Sequence, residues 1–205
     1  LFYATIGGMG LTGITLRACF RLIPIETAWI RKKTLVARNL DEVMDGFEAS
    51  SDWTYSVAWI DCLTSGAALG RSLIYLGEHA VLDELDAKHR AAPLRIPEKR
   101  DFRVPFDAPS WILNGLSMRA FNSFYYWSGR RAEGENLVDW DSYFYPLDSV
   151  LEWNRIYGRR GMVEYQCVIP KETSREGIGA ILRETSAAGQ GSFLAVLKLF
   201  GAQDS

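Results

Sequence analysis

The sequence predicts an α+β fold, a largely antiparallel sheet with helices on one face, and three observations predict it. Several separate runs alternate apolar and polar residues with a period of two. Helix start and stop signals fall between those runs. The first clear pair of strand-like runs is joined by a short Gly-rich loop at 65–70, a length that suits antiparallel neighbours and is too short for a crossover. The 205 residues are 48% hydrophobic and 13% aromatic, enough to bury one substantial core without disulfides or a structural metal.

The elements follow in order. Ile14, Leu16, Ala18, Phe20 and Leu22 alternate with Thr15, Arg17, Cys19 and Arg21, which predicts a half-buried strand over 14–22, ended by Pro24. A second strand covers 27–36 with poorer alternation. Asn39 then has the chemistry of an N-cap for a short helix that places Leu40, Val43, Met44 and Phe47 on one face. Trp53, Tyr55, Val57 and Trp59 put large groups on one face of a strand over 53–62, with a partner strand at 72–76. Four of the seven prolines fall within 93–109, a spacing that predicts a long surface loop, mobile and protease-sensitive. The aromatics between 111 and 145 are expected in the core. Asp148 is expected to cap a helix reaching Tyr157, with Gly158 as its left-handed stop. A strand at 163–169, a helix at 174–186 and a strand at 192–200 complete the chain, and that last unit would allow one parallel crossover.

Several function classes drop out. With 23 basic and 25 acidic residues the formal charge is −2, which favours no polyanionic partner and argues against nucleic acid. Cys19, Cys62 and Cys167 have no metal-ligand spacing and read as plain core residues of a reducing, cytoplasmic setting. His79 and His89 lack companion ligands, so no metal site is expected, and each reads as a surface residue. No apolar run approaches the ~20 residues of a spanning helix, so no transmembrane segment is expected. The apolar start at Leu1 and the absence of an initiator Met read as the interior of a longer chain.

Gly8, Gly10 and Gly13 match the spacing of a dinucleotide-binding glycine loop, but a strand follows them where a helix is required, and the acid expected ~20 residues on is replaced by Arg31-Lys32-Lys33. The stretch 4–14 instead resembles the end of the FAD-binding domain in the vanillyl-alcohol oxidase superfamily. Further matches continue in order through Thr54-Tyr55-Ser56, Ala58-Trp59, Asp61, Pro146-Leu147-Asp148, Glu152-Trp153-Asn154-Arg155, Tyr157-Gly158, Tyr165-Gln166, Val168-Ile169-Pro170 and Lys198-Leu199-Phe200-Gly201. They are similar to the branch that oxidises a polyprenyl-phosphate ribose.

The resemblance implies that residues 1–22 end an FAD-binding domain and that 23–205 form a substrate-binding domain. It implies FAD contacts at Gly8, Gly10, Thr12, Gly13, Ile14 and Thr15. It also implies substrate contacts at Trp59, Phe144, Glu164, Gln166 and Phe200, a catalytic Lys198, and an NAD(P)H-dependent reductase as partner at the cell envelope. Glu164 stands where the family has an amide, and Phe144-Tyr145 where it has a Tyr-His pair. The residues themselves leave alternatives open: Lys198 in an apolar run either reaches a ligand or ends in solvent, and Glu164 with Gln166 line either a cavity or a solvated face. A non-catalytic module for a lipid-linked sugar and an oxidase of another alcohol or sugar lactone stay open as well.

Overall fold

The computed structural model describes residues 1–99, 101–109 and 111–201. In chain order the elements are α1 (Phe2–Ile6), β1 (Trp29–Ala37), α2 (Leu40–Glu48), β2 (Tyr55–Ile60), β3 (Ser72–His79), α3 (Ala87–Arg90), β4 (Phe102–Arg103), α4 (Gly115–Arg131), β5 (Gly134–Asp139), α5 (Trp140–Phe144), β6 (Val150–Leu151), α6 (Lys171–Ala188) and β7 (Val196–Leu197). Five strands form one sheet in the order β5-β1-β3-β2-β7, antiparallel throughout. The α+β class and the antiparallel sheet are those the sequence predicts.

Side-chain alternation gives the sheet two different faces. Ala37, Ala58, Ile60, Ile74 and Leu76 point to one side and pack with Leu40, Val43 and Phe47 of α2 and Leu182 of α6. Asn39 caps α2 as predicted, its side chain accepting from the Glu42 backbone N–H at 2.9 Å, and such a cap stabilises a helix by about 1 kcal/mol. Trp59 and Leu73 point to the other side and pack with Tyr126 of α4, flanked by Val36, Tyr75 and Tyr125. The helices therefore divide between two faces instead of covering one. Gly129 makes the second arrangement possible: a Cβ there would lie 2.1 Å from Leu73 Cδ1, so only glycine lets α4 approach this closely.

A buried polar clasp fixes α4. Asp61, 1% exposed, accepts from the Leu63 N–H at 3.1 Å, Arg71 Nε at 2.9 Å and Asn122 Nδ2 at 2.9 Å. A buried carboxylate needs such partners, and Asn122 belongs to α4.

Several local expectations fail for one physical reason, the absence of a neighbour. Residues 14–22 form no strand and lie exposed, Leu16 at 93% and Phe20 at 77%, because a strand needs a partner to take its backbone hydrogen bonds. Residues 163–169 are likewise irregular and, but for half-buried Ile169, exposed, and the strand expected at 192–200 shrinks to β7, paired with β2 at the sheet edge. That pairing is antiparallel, so no parallel crossover forms in the main sheet; the parallel pair is the short β4-β6 ladder. The ladder pairs the backbone of Phe102 and Arg103 in the proline-rich stretch, while both side chains stay exposed.

Asp148 caps no helix. Glu152, at φ 57°, precedes a 3-10 segment Trp153–Arg160, and Gly158 kinks it at φ 64° and ψ −163°. Cys62 is buried, whereas Cys19 and Cys167 are exposed. His89 lies against Trp29, ring centroids 4.2 Å apart and tilted, and is half-buried, so it is no plain surface residue. Residue 100 of the expected loop and residues 202–205 of the expected second domain lie outside the described residues.

Candidate functional site

The second sheet face carries the polar and aromatic groups from which a site can be built. Along β3 the residues facing this side are Leu73, Tyr75, Gly77 and His79. Opposite them in register on β2 stand Trp59 against Leu73, Val57 against Tyr75 and Tyr55 against Gly77. On β1, Thr34 stands opposite Tyr75 and Lys32 opposite Gly77. α4 covers one end of this face and α5 the other, so the surface is an aromatic floor between two helices.

Trp59 is 5% exposed, donates from Nε1 to the Phe193 carbonyl at 2.9 Å, and lies 4.7 Å from the Tyr125 ring. The Tyr75 and Tyr125 hydroxyls are 3.0 Å apart. Lys32 Nζ sits 4.5 Å from the Tyr75 ring centroid, a cation–π placement. Burial pushes the Lys32 ammonium below its ordinary range and pushes the Tyr75 phenol far above its own. The Tyr143 phenol is raised too, by burial first and then by the nearby Glu78 charge. Both phenols therefore stay neutral at any physiological pH and act as hydrogen-bond groups, not as bases.

At the other end, Tyr143 donates to the Tyr75 carbonyl at 3.3 Å. Gly77 leaves room for it, since a Cβ at Gly77 would lie 2.5 Å from Tyr143 Cζ. Phe144 meets Tyr55 edge-on at 4.9 Å, and His79 lies 5.7 Å from Tyr55. The His79 Nδ1 is buried with no hydrogen-bond partner among the described residues. Neutral hydroxyls, one ammonium and ring faces suit a ligand with an apolar or sugar face and an anionic group. Among the described residues no group of three or more His, Cys, Asp or Glu could hold a metal.

Of the residues singled out in the sequence, Trp59 and Phe144 come to this face. Val196 stands opposite Trp59 in β7, and one more step of that register would set Lys198 against Val57, but the strand ends at Leu197 and Lys198 is exposed. Phe200 is 57% exposed. Glu164 and Gln166 lie exposed in the irregular stretch before α6, and among the described residues no hydrogen bond or ion pair ties them to the aromatic floor. Gly8, Gly10, Thr12, Gly13, Ile14 and Thr15 lie in the exposed N-terminal segment, whose hydrogen bonds run within residues 1–13. Lys32, Tyr75 and Tyr125 are the residues that sequence reasoning missed. The signal for Lys32 was present in its alternation with Thr34 and Val36, but the neighbouring Arg31 and Lys33 masked it as part of a basic run.

No family model matches the sequence. Among curated proteins the chain is 38% identical over 95 residues, 46% of its length and 26% of the relative's, to an uncharacterized protein in the mprA 5' region of Streptomyces coelicolor. It is 38% identical over 207 aligned residues, 98% of its length, to decaprenylphosphoryl-beta-D-ribose oxidase of Mycolicibacterium smegmatis. The chain spans 44% of that protein, less than half of either curated relative. Along nearly its whole length, then, the chain resembles a part of decaprenylphosphoryl-ribose oxidase.

Proposed function

We propose that this chain is the substrate-facing part of a larger FAD-dependent oxidoreductase that oxidises a secondary alcohol of a polyprenyl-phosphate ribose. The observation that carries the reading is the 38% identity sustained over 98% of the chain to a protein named decaprenylphosphoryl-beta-D-ribose oxidase. In this reading residues 1–22 close an FAD-binding domain, and the domain beginning at residue 23 holds the substrate. The exposed alternating run at 14–22 supports it, because such a run has the pattern of a strand that pairs with backbone outside the described residues.

Residues 8–15 fit one edge of a dinucleotide. Gly10 and Gly13 have φ of 81° and 129°, conformations that leave the backbone bare and open to close approach. FAD supplies the acceptor for a hydride, which protein side chains cannot provide. The chain's own residues would bind and orient the sugar: Trp59 and the Tyr75–Tyr125 pair as a wall and Phe144 at one end, with Glu164, Gln166 and Phe200 as further substrate contacts. Lys198 would reach the face by continuing the β7 register one residue, placing an ammonium beside the reacting alcohol or its phosphate. An NAD(P)H-dependent reductase would then complete an epimerisation.

The test uses the protein in its natural full length. The expected result is a yellow protein that turns over a polyprenyl-phosphate ribose with a dye as electron acceptor, and in which Lys198→Met lowers kcat more than tenfold with an unchanged melt. A colourless protein with no turnover overturns the reading. Kinetics within about twofold for Lys198→Met remove that residue from the site.

A further inference from the structure

The three cations of the run 31–33 are treated differently by the fold. Arg31 pairs with Glu84 at 3.1 Å and Lys33 with Glu135 at 3.5 Å. Lys32, between them, points to the aromatic face, and among the described residues no carboxylate lies within 4.0 Å of its ammonium. Its neighbours on that face explain why. Directly opposite stand Gly77 on β3 and Asn136 on β5, and alternation sets Tyr75, His79, Gly134 and Val138 diagonally beside it. None of these is acidic.

What this chain gives Lys32 is a neutral aromatic seat. The ammonium lies 4.5 Å from the Tyr75 ring centroid, and Tyr143 fills the space above Gly77 beside it. A ring face compensates only part of an ammonium's lost hydration, and Lys32 is half-buried, so an anion meeting it there gains more than at a solvated lysine. The Tyr75 and Tyr125 hydroxyls, 3.0 Å apart, use one proton between them, which leaves the other proton for a third acceptor. That proton is offered at the tip of the ring that carries Lys32. A cation without a counter-charge, a spare phenol proton and no acid on the face select an oxyanion attached to a group that lies on rings.

We infer that Lys32 forms the phosphate subsite of the aromatic floor, its ammonium binding a phosphate oxygen over the Tyr75 ring while the attached sugar lies along the floor. The inference rests on the polyprenyl-phosphate ribose reading for the identity of the anion. It deepens that reading by naming the residue that distinguishes a phosphorylated sugar from a neutral one.

The test is binding to the natural full-length protein, read by quenching of tryptophan fluorescence. Two ligands are compared: geranylphosphoryl ribose, and octyl riboside, which has the sugar and an apolar chain but no phosphate. Lys32→Met is expected to weaken the phosphate ligand at least about tenfold and the neutral riboside by no more than about twofold, without lowering the melt. Lys33→Met, which removes a cation of the same run that already has a carboxylate, should leave both affinities within about twofold. Four results overturn the inference. They are no binding of geranylphosphoryl ribose by the parent, an affinity for it that Lys32→Met leaves unchanged, equal weakening of both ligands, or a Lys32→Met protein that melts lower. The third would mark a packing role, and the fourth a carboxylate from elsewhere in the full chain paired with Lys32. Binding needs no electron transfer, so a colourless protein without turnover that still binds in this Lys32-dependent way removes the oxidase reading and keeps the subsite. Turnover with unchanged binding in Lys32→Met does the reverse.

Discussion

The two faces of the central sheet are built from the same strands and serve opposite ends. Ile74 and Tyr75 are adjacent in β3, yet Ile74 enters an aliphatic layer under α2 and α6, while Tyr75 enters a floor of rings, hydroxyls and one ammonium between α4 and α5. The first face has no buried charge to satisfy and gains stability from each methylene it hides. The second holds Lys32 partly out of water over a ring, with no carboxylate within 4.0 Å of it among the described residues, an arrangement that costs stability and suits recognition. What the comparison teaches is that stability and ligand chemistry are separated by the one-residue alternation of a strand.

The largest effect should come from the aliphatic side. Ile74→Ala, at a residue 1% exposed, is expected to lower the unfolding free energy by about 4 kcal/mol in urea titration. A loss below about 1 kcal/mol would show that this layer is no better packed than the other. Next is the clasp that holds α4 over the aromatic face. Asp61→Ala removes the carboxylate from the Arg71 guanidinium, 19% exposed, and from the Asn122 amide, which keep only Ser123 Oγ and the Ser192 carbonyl, at a cost of about 3 kcal/mol. Hydrogen exchange should quicken first in α4, and uniform quickening across the sheet would mean that the clasp serves both faces equally.

A smaller effect is expected at the join of β3 and α5. Gly77→Ala displaces the Tyr143 ring and breaks its bond to the Tyr75 carbonyl, costing about 1–2 kcal/mol and changing near-ultraviolet circular dichroism. An unchanged spectrum would place Tyr143 elsewhere in solution.

The smallest effect concerns Lys32 and is a matter of sign. Its folded pKa is lowered by burial, so between that value and the ordinary lysine range the unfolded chain binds more protons, and the Lys32 contribution to stability rises with pH. Lys32→Met should therefore be more stable than the parent near neutrality, and the gap in Tm should close as pH rises towards the ordinary lysine range. A gap that widens with pH would mean that the ammonium is stabilised where it sits.

Much of this organisation was legible before any coordinates. Asn39 followed by Leu40, Val43 and Phe47 specifies a capped amphipathic helix through bonds that span a few residues, and the structure places that helix as predicted. The alternation of Tyr55, Val57 and Trp59 fixed one face of β2 for the same reason, and the helix expected at 174–186 was nearly as clear, the structure extending it to Lys171–Ala188. Local periodicity could not say whether a strand would find a partner. Residues 14–22 and 163–169 alternate as well as β2 does, yet β2 gains two neighbours and they gain none among the described residues. The role of Lys32 was equally hidden, because a lysine beside Arg31 and Lys33 becomes a half-buried cation only when the Tyr75 ring from another strand is brought against it. Sequence by itself determined which segments could be amphipathic, since that depends on bonds and side chains a few residues apart. Only the tertiary structure decided which of them were paired, and which face became aromatic, since both depend on contacts between residues far apart in the chain.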